Sequence, residues 1–225
     1  IQYVFGLPDA KLATKVNAYN LKDFCLKQNI PFYGSDNWGI IAGENTDLVC
    51  EMGDSRIIPA AFLQKNHVIG NHGAILPSVQ GAASLVWGKM LNNGEWGVSL
   101  MQLSAIIDGG PIIKTRKVTY DTEKTTMSEF VELCDDATIE CLKDFLDGNY
   151  NKTSNEKWQL KIAKKSDSKS VTEVLDFCLK SKTNVYLPPR TPNDSKVNTK
   201  WGEKFVDNFK KANDAPYPKH YSENS

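Results

Sequence analysis

Histidine is scarce in this chain, whose 225 residues include only 3 histidines: His67, His72 and His220. No apolar run approaches the roughly 18 residues that a membrane-spanning helix needs, which argues against a membrane protein. No cluster has the spacing of a metal site and no glycine-rich phosphate loop occurs, so the sequence predicts neither a metalloenzyme nor a kinase. Few side chains are therefore candidates for proton transfer near neutral pH.

Paired cysteines are lacking too. The 5 cysteines show no Cys-x-x-Cys spacing and lie in apolar stretches, at Cys25, Cys50, Cys134, Cys141 and Cys178. Such cysteines are typical of core thiols in a reducing compartment. We therefore expect a cytoplasmic protein without a disulfide framework.

The chain also has no excess of charge of either sign, since its formal net charge is zero. Residues 151–225 nevertheless hold 15 Lys and Arg against 9 Asp and Glu. This basic last third suits a phosphate-bearing substrate, although a solvated lysine-rich surface explains it equally well. The neutral total makes nucleic acid an improbable partner.

Short apolar runs alternate with helical patterns through the first 150 residues, which predicts an α/β fold with a parallel sheet. We predict strands at 3–5, 48–50, 97–107 and 111–118. Helices are predicted at 20–29, with Asn20 as N-cap, at 79–91, and after the capping box Thr126 to Glu129.

The composition of the chain changes near residue 148. Residues 149–155 are polar and linker-like, a second capping box spans 170–173, and residues 187–192 are rich in proline. A last helical pattern runs over 200–212. We therefore predict a core over 1–148 and a linker with a small extension over 149–225. Because the chain begins at Ile1 inside a strand pattern, we also expect further residues upstream.

Two side chains stand out as a possible proton-transfer pair. His72 lies in Gly-Asn-His-Gly-Ala-Ile-Leu-Pro at 70–77, and Asp108 opens Asp-Gly-Gly-Pro-Ile-Ile at 108–113. Each follows a predicted strand, where ligands bind in open parallel sheets. A histidine can accept a proton near neutral pH, and a carboxylate beside it stabilises the cation. The alternative for a single such histidine is a structural role in the core.

These two segments resemble the folate-dependent formyltransferase family, whose hallmark is His-x-x-Leu-Leu-Pro followed by Asp-x-Gly-x-Ile. The resemblance covers most of the chain, from about residue 4 to about residue 221. It implies a Rossmann-like α/β fold with a mostly parallel sheet and a small C-terminal extension. It also implies transfer of a formyl group from 10-formyltetrahydrofolate to an amine, with His72 and Asp108 as catalytic residues.

The same resemblance implies a binding site for the folate. Its pterin ring would lie against the backbone of the 56–58 segment and against the 105–107 segment. The residues concerned are Arg56, Ile57 and Ile58 on one side and Ala105, Ile106 and Ile107 on the other.

One position departs from the family pattern. The family carries an asparagine two residues before the histidine, whereas this chain has Gly70 there and Asn71 one place later. Alternation along a strand turns Asn71 away from His72 unless a bulge at Gly70 intervenes. Asn71 is kept as a candidate catalytic residue that supplies an oxyanion donor. The alternative is that it caps local backbone while a backbone N–H or a water donates.

Motifs in the C-terminal third indicate which amine accepts the formyl group. Residues 189–194 followed by Trp201 are similar to the Arg-x-Pro-x-Asp…Trp element of nucleotide-sugar N-formyltransferases, and 208–218 resembles their Asn-x-x-Arg-Ala…Pro-Tyr-Pro stretch. Lys211 stands in place of the arginine, which keeps the charge for a phosphate contact but loses the bidentate fork. The alternative is a rigid clasp that packs the tail onto the core.

This resemblance implies a nucleotide-linked amino sugar as the substrate. Three alternatives stay open: a methionyl-tRNA formyltransferase-like enzyme, an inactive relative that binds folate or a nucleotide sugar, and a formyl hydrolase. A homodimer is a possible assembly, since exposed helices of such a core could pair.

Overall fold

A computed structural model describes residues 1–13, 15, 18–41, 46–54, 56–149, 185–198 and 200–222. The predicted capping box at 170–173, most of the predicted linker and Cys178 lie outside the described residues. Within the described part, no helix has the length and apolar character that crossing a bilayer requires.

The described chain alternates strands and helices as predicted. The strands are β1 Val4–Gly6, β2 Phe32–Gly34, β3 Val49–Glu51, β4 Val68–His72, β5 Val79–Gly81, β6 Glu95–Gln102, β7 Ile112–Thr119 and β8 Val185–Leu187. The α-helices are α1 Asp9–Leu12, α2 Leu21–Lys27, α3 Ala60–Lys65, α4 Ser84–Leu91, α5 Met127–Leu146 and α6 Glu203–Ala212. Short 3₁₀ turns cover Trp38–Ile41 and Pro192–Ser195.

Strand pairing among the described residues gives three sheets, in which three of the five pairings are parallel. The central sheet has the order β3-β4-β6-β7, and two smaller pairs are formed by β1 with β2 and by β5 with β8. The pairs β1–β2, β3–β4 and β5–β8 are parallel, while β4–β6 and β6–β7 are antiparallel. The predicted α/β class with parallel strand pairing is confirmed, but β6 runs antiparallel to both of its neighbours in the central sheet, which the sequence pattern did not reveal.

Two helices begin where their capping residues predict. The Asn20 side chain accepts a hydrogen bond from the backbone N–H of Lys22 at 3.0 Å, which opens α2. Thr126 and Glu129 form the full reciprocal capping box that opens α5. The predicted buried face of α2 is only partly confirmed. Cys25 is buried, but the other apolar residues predicted for this face remain substantially exposed.

The predicted helix at 79–91 is wrong over its first turn. Residues 79–81 form β5, which pairs with β8, and α4 begins only at Ser84. Gly81 has a φ of 98°, which a helix does not accommodate, and its register partner is Leu187. The apolar periodicity continued into this turn, but pairing with a strand about a hundred residues away overrode it.

The predicted strand at 97–107 is also too long. β6 ends at Gln102, where Leu103 N–H donates to the carbonyl of Val68 at 2.8 Å. Residues 103–111 then form an irregular connection to β7, closed in part by a bond from Gly109 N–H to the Ile106 carbonyl at 3.1 Å. Asp108 therefore lies within this connection and not directly at a strand end.

One apolar cluster joins the central sheet, the flanking helices and the C-terminal residues. Ile69 and Leu100 come from the sheet and Phe130 from α5, while Leu187 and Phe209 come from the extension. In α6 the ring of Phe209 lies 4.9 Å from that of Trp201, centroid to centroid. The described extension thus packs on the core as a clasp, and the boundary near residue 148 stays a prediction.

Candidate active site

His72 is the last residue of β4, and its side chain is only 7% exposed. Its Nδ1 lies 3.5 Å from Oδ1 of Asp108, and its Nε2 lies 3.1 Å from the backbone oxygen of Val79. Both of these partners can only accept hydrogen bonds. Nε2–H therefore donates to the Val79 carbonyl, and Nδ1 faces the Asp108 carboxylate, so the ring is held in one orientation.

Asp108 is held rigidly within the β6–β7 connection. Its backbone has a φ of 53°, in the left-handed region, and its side chain is 10% exposed. Oδ2 accepts from the backbone N–H of Gly81 at 2.7 Å, and the backbone oxygen accepts from Nε2 of Gln80 at 2.8 Å. These contacts leave Oδ1 directed to His72, so the carboxylate is oriented before any ligand arrives.

The pair depends on two glycines that no other residue could replace without movement of the chain. A Cβ on Gly81 would lie 2.1 Å from the backbone oxygen of Leu187. A Cβ on Gly110 would lie 1.7 Å from the backbone oxygen of Gln102. Close backbone approach at these positions sets β5 against β8 and sets the Asp108 connection against the end of β6.

Replacing Gly81 with Ala should lower the free energy of unfolding by about 3–5 kcal/mol, because backbone must move and φ is unfavourable. Gly148 is a matched control, since its φ is 78° and a Cβ there meets nothing within 4 Å. Gly148→Ala should cost only about 1 kcal/mol. Urea unfolding of both variants measures the difference, and equal costs would contradict the close β5–β8 approach.

Asn71 does not share a face with His72. The β4–β6 register advances residue by residue from Ile69 to His72, so no bulge occurs at Gly70. Adjacent strand residues then point to opposite faces. The Asn71 side chain accepts from the backbone N–H of Gly53 at 3.1 Å, which ties down the loop after β3. Its catalytic role stays a prediction.

The 56–58 segment is anchored by its arginine. The Arg56 guanidinium forms an ion pair with Asp54, donates to the backbone oxygen of Ser35, and lies 4.5 Å from the ring centroid of Phe5. These contacts occupy the guanidinium. A ligand at this segment would therefore meet its backbone and the side chain of Ile57, which is 80% exposed.

The 105–107 segment leads directly into Asp108 and is open to solvent. Ala105 is exposed, and Ile106 and Ile107 are 55% and 62% exposed. Large apolar side chains left uncovered at a loop mark binding surfaces. Exposed apolar side chains of this kind, like that of Ile57, can contact a flat ring system, so the chemistry of these residues fits a pterin.

Glu51 was not among the predicted site residues. It ends β3, next to Gly70 of β4 in register, and its carboxyl is largely buried. This burial raises the pKa of Glu51 to about 7. The signal in the sequence was a lone acid at the end of an apolar run, which has no meaning until the strand pairing is known.

The C-terminal residues that resemble the nucleotide-sugar elements have structural contacts. The Arg190 guanidinium lies 5.2 Å from the ring centroid of Trp87 and donates to the Asn213 side chain at 2.8 Å. Lys211 Nζ lies 2.8 Å from both Glu123 and Asp207, and hydrogen bonds to these carboxylates raise the pKa of Lys211. A phosphate would have to compete with two carboxylates at Lys211.

Comparison with known proteins decides the family. The model of the formyl transferase family matches residues 26–142, just over half of the chain, and this stretch includes both His72 and Asp108. The chain belongs to the formyl transferase family. The predicted resemblance is thereby confirmed for the region that holds the site.

Individual relatives of this formyl transferase chain are distant. Methionyl-tRNA formyltransferase of Lactobacillus johnsonii is 25% identical over 169 residues, 69% of this chain and 54% of that protein. The chain thus spans about half the length of the curated relatives it matches. A sugar N-formyltransferase from Shewanella superposes with a TM-score of 0.64 at 15% identity, covering 98% of this chain and 92% of that one.

A third similar protein carries a folate. HypX from Aquifex aeolicus, solved in complex with tetrahydrofolic acid, superposes with a TM-score of 0.60 at 16% identity. The match covers 95% of this chain and 34% of that one. At such identities both structural matches establish the fold alone, which confirms the predicted Rossmann-like architecture of this family.

Proposed function

We propose that this chain transfers a formyl group from 10-formyltetrahydrofolate to the amine of a nucleotide-linked amino sugar. The observation that carries the proposal is the buried His72–Asp108 pair directly beside uncovered apolar side chains. A catalytic pair needs fixed orientation, and a folate needs apolar contact for its rings. The family match over both residues supports the reaction class.

The donor would lie across the two apolar segments. Ile57 and the backbone of 56–58 would contact one side of the pterin, and Ala105, Ile106 and Ile107 the other. The folate supplies the formyl group that is transferred. The protein's part is to hold the donor in place and to exclude water from the reacting carbon.

His72 would act on the attacking amine. Transfer forms a bond from the formyl carbon to the amine and breaks its bond to the folate nitrogen. The amine must therefore lose a proton, the formyl oxygen must carry negative charge in between, and the folate nitrogen must gain a proton as it leaves. His72, as neutral imidazole, donates from Nε2 to the Val79 carbonyl and can take the proton at Nδ1, through a water ordered by Asp108. The resulting imidazolium is stabilised by Asp108 at 3.5 Å and by the Val79 carbonyl at 3.1 Å. Asn71 would contribute indirectly, by fixing the loop after β3 through Gly53.

The identity of the acceptor, an amino sugar, is the more specific part of the proposal. Support comes from the resemblance of residues 189–194, Trp201 and 208–218 to nucleotide-sugar N-formyltransferases, and from a structural neighbour that is a sugar N-formyltransferase. The competing acceptor is methionyl-tRNA, on which the similar Lactobacillus protein acts by name. The free thiols Cys25, Cys50, Cys134 and Cys141 support a reducing, cytoplasmic setting.

An acceptor panel tests the proposal. Release of tetrahydrofolate is followed with 10-formyltetrahydrofolate and, in separate reactions, amino-sugar nucleotides, methionyl-tRNA or no amine. Turnover that depends on an amino-sugar nucleotide is the expected result. Turnover with methionyl-tRNA would show that methionyl-tRNA, and not an amino-sugar nucleotide, is the acceptor. Formate release without amine would indicate a hydrolase. Folate binding without any turnover would indicate an inactive binding protein.

Replacing Ile106 with Asp should raise the dissociation constant of the folate by about 10–100-fold. The reason is that covering an isoleucine side chain stabilises a complex by about 1.5–3 kcal/mol, and a carboxylate resists burial. Ile139→Asp is the matched control, because Ile139 is 50% exposed on the outside of α5. Binding is measured by quenching of tryptophan fluorescence. Equal affinity of the two variants would remove Ile106 from the site.

A further inference from the structure

The side chain of Glu51 occupies space that Gly70 leaves empty. Glu51 is the register partner of Gly70 across the parallel β3–β4 pair. A Cβ on Gly70 would lie 2.8 Å from Oε2 of Glu51, so this oxygen stands directly over the glycine. Gly70 and His72 are two residues apart on β4 and share a face. The Glu51 carboxyl therefore lies on the face of the sheet that carries His72.

The environment of Glu51 keeps a substantial fraction of its carboxyl protonated near neutral pH, and most of it protonated below that. Burial raises its pKa to about 7, while a hydrogen bond from Asp54 N–H to Oε1 at 2.5 Å acts in the opposite direction. The charged groups facing it are Asp54, which raises the pKa, and Arg56, which lowers it. His72 and Asp108 are the titratable groups on the β4 and β6–β7 side.

The proposed reaction needs a hydrogen-bond donor to the formyl oxygen that His72 and Asp108 do not supply. Both ring nitrogens of His72 already face acceptors, at Asp108 and Val79. The Asn71 amide lies on the opposite face of β4 and accepts from Gly53. A protonated carboxyl can donate, whereas the Asp108 carboxylate accepts.

We propose that Glu51 is a further catalytic residue whose carboxylic acid donates a hydrogen bond to the formyl oxygen as that oxygen gains negative charge. The inference rests on the proposed formyl transfer. No bond to Glu51 forms or breaks, and its proton stays on the carboxyl throughout. The deprotonated form cannot donate, so the rate falls as Glu51 ionises.

Glutamine and alanine variants distinguish donation from the other roles of a carboxyl. Glu51→Gln keeps a donor of similar length without titration, and Glu51→Ala removes it. Removal of a donor of this kind lowers kcat by about 10²–10³-fold. At pH 6 Glu51→Gln should therefore stay within about tenfold of the wild type, and Glu51→Ala should lose about 10²–10³-fold.

The pH dependence provides the decisive comparison. The ratio of the wild-type rate to the Glu51→Gln rate cancels the titration of the amine and of His72. This ratio should be constant below about pH 6 and fall about tenfold per pH unit above about pH 8. A Glu51→Gln variant as inactive as Glu51→Ala would overturn the proposal and indicate that Glu51 acts as a base or binds the amine. A ratio that does not change with pH would overturn it as well.

A binding measurement separates this inference from the proposed function. The probe is 10-formyl-5,8-dideazafolate without an acceptor amine, and the readout is the infrared stretching frequency of its labelled formyl carbonyl. Donation should lower the frequency in the wild type at pH 6 and in Glu51→Gln, but not in Glu51→Ala. An identical frequency in all three would overturn the role of Glu51. Failure of transfer with every acceptor would instead overturn the proposed function.

A double variant guards against simple misfolding of Glu51→Ala. Adding Gly70→Asn puts an amide beside the space that the carboxyl vacates, where the end of the Leu103 side chain, 2.9 Å from a Cβ at this position, has to shift. Glu51→Ala/Gly70→Asn should be at least about tenfold faster than Glu51→Ala. Because an amide does not ionise, the rate of this double variant should not show the fall above pH 7 that ionisation of Glu51 causes in the wild type. No recovery despite a melting temperature and folate affinity equal to the wild type would count against donation from this space.

Discussion

Replacing His72 with Gln should lower kcat/KM by about 10²–10⁴-fold, the range that positioned general bases contribute. Glutamine fills similar space and can still bond to the Val79 carbonyl, but it cannot take up a proton. The buried imidazole between Asp108 and Val79 is arranged to hold a positive charge. Loss of that function affects the chemical step, so kcat should carry most of the change and folate affinity should not.

Steady-state kinetics with the acceptor that gives turnover in the acceptor panel measures this effect. His220→Gln is the matched control, because the His220 ring faces the backbone oxygen of Asn213, at 3.3 Å, near the C-terminal end of the described residues. The control should retain wild-type kinetics. A His72→Gln enzyme within about threefold of the wild type would show that the buried histidine is structural, and the proposed mechanism would fail.

Replacing Asp108 with Asn should lower kcat by about 10²–10³-fold while the protein stays folded. An asparagine oxygen can still accept from Gly81 N–H, which the carboxylate now holds at 2.7 Å. What is lost is the negative charge beside His72, which stabilises the imidazolium. Asp108→Ala also loses the contact to Gly81, so it should additionally lower the free energy of unfolding by about 1–3 kcal/mol.

The two Asp108 variants are compared in kinetics and in urea unfolding. Similar kcat values with different unfolding free energies would separate the catalytic role of the charge from the structural role of the oxygen. The double variant His72→Gln/Asp108→Asn should be little slower than His72→Gln, because residues that act as a unit are not additive. An Asn variant with wild-type kcat would contradict an electrostatic role for Asp108.

Local signals in the sequence were sufficient for part of the fold. Asn20 and Thr126 were recognised as helix starts because capping involves only residues two or three positions away. His72 and Asp108 were recognised because each lies in a short motif with a fixed pattern of glycine, proline and apolar residues. Their contact follows from the fold, and the structure brings them to 3.5 Å.

Other features depended on partners far along the chain. Val79 to Gly81 continues an apolar helical pattern, and only pairing with Val185 to Leu187 makes it a strand. Glu51 became a candidate only when its pairing with Gly70 was known, since its burial and its position over the glycine both come from that contact. No local pattern at Glu51 carries this information.

The central claim is that this chain forms a C–N bond between a formyl group and an amine with His72 as the base. The most direct measurement is mass spectrometry of the acceptor after incubation with formyl-labelled 10-formyltetrahydrofolate. The account predicts that an amino-sugar nucleotide gains one labelled formyl group with the wild type and with His220→Gln, but not measurably with His72→Gln. Labelled product formed equally by His72→Gln, or no labelled amine of any kind with the wild type, would contradict it.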